Sequence, residues 1–268
     1  SPDPLWSRGL GDVYKRQTPH ALTDCLCFGN PEKESQMWEF VESVKGISDA
    51  CKSLTLKHSP NDPTPIIAGN VSFYNESRNG AIPPSPIVSC LGKIDDINNA
   101  IGMSFISPNS TIILIGKRKN ELGGSAYYHL FNELGNSIPK PDLSEVKNQI
   151  FALTDCIGSG LVLSCHDISD GGIAVALAEM SFRNGLGCDV KIESDLEDGT
   201  VLFSETGGFI LEIRNEDFGN VESCFQKYGL ECFNIGSTIE GEIKINNAIS
   251  LSTQQAFQAW SDGLSSKL

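Results

Sequence analysis

Asn70 and Ser72 stand two apart in the run Ala68-Gly69-Asn70-Val71-Ser72-Phe73-Tyr74-Asn75-Glu76, and side chains two apart in an extended chain face the same side. A carboxamide oxygen and a hydroxyl are thereby offered together, beside a glycine whose bare backbone lets a ligand come close. Mg²⁺ takes a few hard oxygen ligands and completes its shell with water and substrate phosphates, so a neutral Asn oxygen next to a nucleotide suits it. The chemistry implied is binding of a phosphorylated ligand with its metal. The competing reading is a polar turn closing a hairpin; Asn and Ser are common turn residues, and taken alone the string favours the turn.

Three other groups have residue types that could do chemistry. In Glu121-Leu122-Gly123-Gly124-Ser125 paired glycines precede a helix, so free N–H groups at its start could accept an anion. In Cys165-His166-Asp167-Ile168-Ser169-Asp170-Gly171-Gly172 a strand ends, an acidic turn follows and an apolar helix begins; Ser169 or Asp170 is expected to cap that helix, and the glycines to permit a close helix-to-sheet approach. Cys165 and His166 are adjacent and point to opposite faces of a strand, so no Cys/His dyad follows. The nine cysteines are an odd number without regular spacing, which reads as reduced thiols. Cys25 and Cys27 form a C-x-C, but no second pair or nearby His completes a four-ligand zinc site.

The elements that must position these residues follow from periodicity and punctuation. A chain of 268 residues with 40% hydrophobic content is long enough for two domains. Residues 1–17 (SPDPLWSRGLGDVYKRQ) show no helical or strand period and are expected to be a non-native leader. Ala21 to Phe28 reads as a strand. Ser35 to Leu54 reads as a helix, with Met37, Phe40, Val41, Val44, Ile47 and Cys51 at three- and four-residue spacing forming one buried stripe. Residues 57–63 read as an exposed loop, and strands follow at Pro65 to Ala68 and Ser85 to Ile94. Beyond Ser107-Pro108-Asn109 a second series begins. Strands are expected at Thr111 to Ile115, Leu161 to Cys165, Val190 to Glu193, Gly208 to Ile213 and Glu231 to Ile235, with helices at Ala126 to Leu134, Leu143 to Ile157, Ile173 to Asn184 and Glu216 to Tyr228. This order predicts a mixed sheet with helices on one side. A last helix, Leu251 to Asp262, carries Phe257 and Trp260, expected to dock on the chain itself. The organisation is a small α/β domain over 18–106, a mixed-sheet α+β domain over 107–250, and a C-terminal helix and tail over 251–268.

Charge narrows the partners. The formal net charge of −14 opposes broad contact with nucleic acid or an anionic membrane, which requires clustered Lys and Arg. No apolar run approaches the roughly 20 residues that span a bilayer and no secretion signal is evident, so a cytoplasmic location is expected.

Six strings, taken together and in order, carry a resemblance: TDCLCFGNPEK (Thr23 to Lys33), GNVSFYNES (Gly69 to Ser77), IPPSPIVSCLGKIDD (Ile82 to Asp96), ELGGS (Glu121 to Ser125), CHDISDGGIAVALAEM (Cys165 to Met180) and LFSETGG (Leu202 to Gly208). The chain resembles the second half of the synthetase subunit of phosphoribosylformylglycinamidine synthase, within the aminoimidazole ribonucleotide synthetase superfamily. It departs from that family at Cys27, where Asn is usual, and in a longer loop over Thr55 to Asp62.

The resemblance implies an ATP-dependent carbon–nitrogen ligase of purine biosynthesis. Such an enzyme phosphorylates the formyl amide oxygen of formylglycinamide ribonucleotide and lets glutamine-derived ammonia displace the phosphate, giving formylglycinamidine ribonucleotide. It further implies ATP contacts at Asp24 and Gly69, Mg²⁺ at Asn70 and the ribonucleotide substrate at Ser72. The partners implied are a glutaminase subunit, a small accessory subunit and the missing N-terminal half of the same protein. None of His20, His58, His129 or His166 lies in a matching catalytic motif, so no catalytic residue is assigned and the chain alone is expected to be inactive. The alternatives are an aminoimidazole ribonucleotide or selenophosphate synthetase, or a non-catalytic nucleotide-binding scaffold.

Overall fold

The computed structural model describes residues 17–263. Apart from Gln17, the expected leader lies outside the described residues. The chain divides into two compact units, one of residues up to Asp95 with Leu143–Lys147, the other of Asp96–Asp142 with Asn148–Leu268.

The first unit is built on strand β1 (Thr18–Cys27), followed by helix α1 (Glu34–Ser53), a short hairpin of β2 (Thr55–Leu56) and β3 (Ser59–Pro63), strand β4 (Ile66–Ser72), a second small hairpin of β5 (Glu76–Ser77) and β6 (Gly80–Ala81), and strand β7 (Ser85–Lys93). β1 is the centre of a three-stranded sheet, with β4 parallel on one side and β7 antiparallel on the other. Leu22, Leu26 and Phe28 are buried, and Phe28 meets Phe40 of α1 edge-to-face at 5.3 Å, with Phe73 a further 5.0 Å beyond Phe40. Glu34 in the first turn and Lys52 in the last complement the helix dipole. The stripe on α1 is shallower than expected: Cys51 is buried, but Met37 and Val44 remain 39% and 40% exposed. The other sheet face is open, with Ile87 at 55% and Leu91 at 59% exposure.

Two sequence expectations change here. The exposed loop over 57–63 is largely strand, because Thr55 and Leu56 pair back onto Pro63 and Ser59. β4 runs on to Ser72 instead of stopping at Ala68, since its pairing with β1 continues through Cys27 opposite Ser72.

The second unit contains β8 (Thr111–Ile115), α2 (Ala126–Leu130), α3 (Leu143–Gly158, from Asn148 onward), β9 (Val162–Asp167), α4 (Gly172–Met180), β10 (Leu186–Val190), α5 (Asp198–Phe203), β11 (Phe209–Ile213), α6 (Phe218–Gln226), β12 (Cys232–Glu240), β13 (Glu242–Ile245), β14 (Ile249–Ser252) and α7 (Thr253–Asp262). Its seven strands run in the order β14-β13-β10-β12-β8-β11-β9, all neighbours antiparallel except β10 with β13. The α+β class and mixed sheet are as expected; helices on one side are not. Every residue of β8 and β11 is buried. Ile112, Leu114 and Ile210 join one core with Ile173 and Leu177 of α4, Leu202 of α5 and Ala256 of α7. Ile113, Ile115, Leu211 and Ile213 point the other way, to the side covered by α3 and α6, which are tied together by Cys224 Sγ to the Ala152 carbonyl at 3.6 Å. The unbroken apolar strings TIILI and FILEI are the sequence mark of strands covered on both faces.

Boundaries also move. β10 lies at 186–190 where a strand was expected at 190–193, α2 ends four residues before Leu134, and α5, β13 and β14 were not anticipated. Phe257 and Trp260 pack against Phe182 at 5.6 and 5.4 Å between ring centroids, so these aromatics do dock on the chain itself.

A carboxylate lies at the heart of this unit. Glu212 on β11 is fully buried and accepts from the backbone N–H of Ile106 (3.0 Å) and Ser107 (2.8 Å) and from the hydroxyls of Ser110 (2.8 Å) and Ser164 (2.7 Å). Ser110 N in turn donates to Thr238 Oγ1, whose hydroxyl donates to the Ser107 carbonyl at 2.7 Å. The carboxylate thus takes the place of a strand partner for the chain entering β8.

Candidate functional site

Pairing in the first unit sets the four sequence-identified residues in two groups. Asp24 lies directly opposite Gly69 in the β1–β4 ladder, while Asn70 and Ser72 lie opposite Cys25 and Cys27. A Cβ on residue 69 would meet Asp24 Oδ1, so glycine lets the carboxylate lie over the β4 backbone and any larger residue would make it turn away. That carboxylate points to the α1 side, where its charge adds to burial in raising the Cys51 thiol above its ordinary range. Asn70 and Ser72 take the opposite, open face. The four do not gather on one surface. They meet around β4, which is an edge strand among the described residues.

Asn70 is exposed, whereas Ser72 is half-buried and held by Asn75. Asn75 Nδ2 donates to the Phe28 and Ser72 carbonyls, each at 2.9 Å, and lies 3.1 Å from Ser72 Oγ. Asn75 thereby locks the end of β4 onto the turn after β1, and Tyr74, with φ 60°, supplies the reversal and donates its N–H to the Gly29 carbonyl. Positive φ is uncommon for a residue of this bulk. Nothing local in the run marks Asn75 for this part, since its second partner is 47 residues away.

In the second unit the three glycine-rich strings converge. Arg118, just past β8, donates from Nη2 to the Gly207 carbonyl at 2.7 Å and to that of Thr206, and from Nη1 to the Ser204 carbonyl at 3.4 Å. Burial lowers the guanidinium to about 10, and its Nε is buried without a partner. Thr206 Oγ1 donates to Glu121 Oε2 at 2.7 Å, and Glu205 Oε1 accepts from Ala126 N at 2.8 Å and Gly171 N at 2.9 Å. Glu205, within LFSETGG, and Arg118 carry no local signal for these roles, because their partners lie up to 79 and 89 residues away.

This convergence corrects two expectations. The N–H groups of the ELGGS turn are not free: Gly123 donates to the Ser137 carbonyl, Gly124 to that of Leu134 and Ser125 to that of Leu122, while Glu205 takes the next one. An internal carboxylate already fills the anion position. The N-cap of α4 is Gly171 with no side-chain cap, so neither Ser169 nor Asp170 plays that part. His166 is buried with Nδ1 2.9 Å from Asp167 Oδ1 and Nε2 2.9 Å from Glu179 Oε2, in keeping with the absence of a Cys165–His166 dyad.

Comparison with known families decides what these two units are. Residues 16–94 match the AIR synthase related protein N-terminal domain and residues 107–246 match the C-terminal domain. The chain belongs to the AIR synthase related family. Within it, the chain is 40% identical over 254 residues to the phosphoribosylformylglycinamidine synthase subunit PurL of Methanothrix thermoacetophila, covering 92% of this chain and 33% of that protein. It is 42% identical over 206 residues to the PurL of Moorella thermoacetica, covering 76% and 27%. Among solved structures of the AIR synthase related fold, Thermotoga maritima PurL complexed with FGAR aligns at a TM-score of 0.69 with 18% identity, over 91% of this chain and 40% of that one. The PurLQS structure from the same organism aligns at 0.68 with 17% identity, over 94% and 41%. The chain therefore spans about a third of the length of the curated relatives it matches.

Proposed function

We propose that this chain is the second half of a PurL-type synthetase subunit. The parent protein would convert formylglycinamide ribonucleotide, ATP and glutamine-derived ammonia to formylglycinamidine ribonucleotide in the cytoplasm. The observation that carries this is 40% identity to a PurL subunit along 92% of the chain, which favours PurL over an aminoimidazole ribonucleotide or selenophosphate synthetase. The partners are the companion N-terminal half, a glutaminase subunit and a small accessory subunit; the solved PurLQS assembly of a fold relative supports them.

In this reading the edge of β4 is one wall of the nucleotide site. The Gly69 backbone and the Asp24 carboxylate contact ATP, the Asn70 carboxamide oxygen is one ligand of Mg²⁺, and the Ser72 hydroxyl, oriented by Asn75, meets the ribonucleotide substrate. The donor set fits such a partial role: Asn70 offers an exposed neutral oxygen, Asp24 faces away from it, and no group of three His, Cys, Asp or Glu among the described residues could hold a metal unaided. Bound Mg²⁺ spreads the charge of the transferring phosphoryl group. The chain's own part is positioning: it holds the nucleotide by backbone, presents one oxygen and fixes a hydroxyl. Turnover then needs the companion half, and the chain by itself stays inactive.

Titration with a non-hydrolysable ATP analogue, with and without Mg²⁺, tests this. Asn70→Ala is expected to weaken binding about tenfold with Mg²⁺, a difference of about 1.4 kcal/mol, and to leave metal-free binding unchanged. Equal affinity of both proteins under both conditions would remove Asn70 from the site. A second reading, a structural scaffold, is favoured by one observation: Glu205 already occupies the amides of Ala126 and Gly171. Absence of any nucleotide binding, with the fold intact, would support it.

A further inference from the structure

Cys25 Sγ and Cys27 Sγ lie 3.7 Å apart on β1. Both thiols are half-buried and project from the same side of the strand, toward the face left open by exposed Ile87, the cross-strand neighbour of Cys25. Of the other cysteines, Cys90, Cys224 and Cys232 are half-buried as these two are. Cys51, Cys156, Cys165 and Cys188 are buried, and burial pushes the thiols of Cys188 and Cys232 up to about 12. Cys156 also interacts with Cys224, but its burial drives its thiol up further still.

We propose that Cys25 and Cys27 form a site of reversible oxidation, closed by exchange with a low-molecular-weight disulfide. Cys25, as thiolate, attacks one sulfur of the small disulfide; that S–S bond breaks, and the departing thiolate takes up a proton. The mixed disulfide is then attacked by Cys27 after it loses its proton. A Cys25–Cys27 bond forms and the second small thiol leaves. The protein gives up two electrons and two protons, and one disulfide becomes two thiols.

Geometry sets the character of the product. Residues two apart in a strand are separated by about 6.6 Å between Cα atoms, near the upper end of the ~4.4–6.8 Å range that disulfides accept. The sulfurs must close from 3.7 Å to about 2.05 Å, which bends β1 between two hydrogen-bonded neighbours. A bond of this kind is strained and easily reduced, as labile disulfides are. The bend falls opposite Asn70 and Ser72 in the ladder, although the oxidation itself does not depend on what that edge binds.

The test is a thiol map of the full chain equilibrated with glutathione disulfide and glutathione at graded ratios, quenched by alkylation at low pH and read by peptide mass. The expected result is a peptide carrying Cys25 and Cys27 that has lost two hydrogens while the buried cysteines remain alkylated, with full return on dithiothreitol. In Cys27→Ser the same treatment should leave one glutathione on Cys25. The proposal is overturned if both thiols of the unaltered chain stay free under conditions that oxidise other cysteines, or if each ends with its own glutathione. The unaltered protein decides the matter even if the variant folds poorly.

Discussion

Replacing Glu212 with alanine should destabilise the second unit by about 3 kcal/mol or more, since several buried donors lose their acceptor at about 1–3 kcal/mol each. The carboxylate is fully buried and receives four donors, two from backbone amides of Ile106 and Ser107 and two from the hydroxyls of Ser110 and Ser164. Alanine would leave the Ile106 and Ser107 amides and the Ser164 hydroxyl facing a cavity, each costing about 1–3 kcal/mol if no water replaces the oxygen, while the Ser110 hydroxyl keeps the Ser107 carbonyl within reach at 2.9 Å. Glutamine keeps the shape but exchanges one acceptor oxygen for a donor, which meets donors already in place, so it should fall between. Ser164→Ala removes a single hydroxyl donor and should cost about 1 kcal/mol. Urea unfolding followed by intrinsic fluorescence would give the series. A Glu212→Ala loss below that of Ser164→Ala would mean that the carboxylate does not organise residues 106–110.

The second large effect is expected at Gly172, where two penalties coincide. Its φ is +69°, and a Cβ there would stand 2.6 Å from the Leu202 carbonyl oxygen and 2.8 Å from Phe203 Cα. Strain of the backbone and overpacking each cost about 1–3 kcal/mol, so Gly172→Ala should lose about 3 kcal/mol or more. Gly124 isolates the first penalty: its φ is +75° with nothing within 4 Å of a Cβ, so Gly124→Ala should cost about 1 kcal/mol. Equal losses at the two positions would show that α4 and α5 can part without cost.

Gly172 also marks where the sequence was legible and where it was not. DISDGG announced a strand-to-helix turn with glycines allowing close approach, and the turn is there. The neighbour they approach is the end of α5, a helix the sequence had not revealed because Asp198–Phe203 is too short to display a period. Local signals fixed α1, β8 and the mixed sheet. Signals that depend on distant residues did not carry. The N–H groups before α2 looked available until Glu205, 79 residues away, was seen to occupy one of them. A cap at Ser169 or Asp170 was plausible locally but lost to the same carboxylate. At the candidate site, Gly69 beside Asp24 obeys a steric rule that only strand pairing discloses, and Asn75 acquires its meaning from the Phe28 carbonyl across the turn.

The uncovered side of the small sheet bears on how this polypeptide can be handled. Ile87 and Leu91 are more than half exposed, and β4 offers a hydrogen-bonding edge with no strand beside it among the described residues. Greasy area and an unsatisfied ladder in one place invite pairing with another molecule. Isolated from whatever shields it, the polypeptide should stick to its own copies. Sedimentation at rising concentration would reveal this as growing mass, and charged substitutions at Ile87 and Leu91 should suppress it.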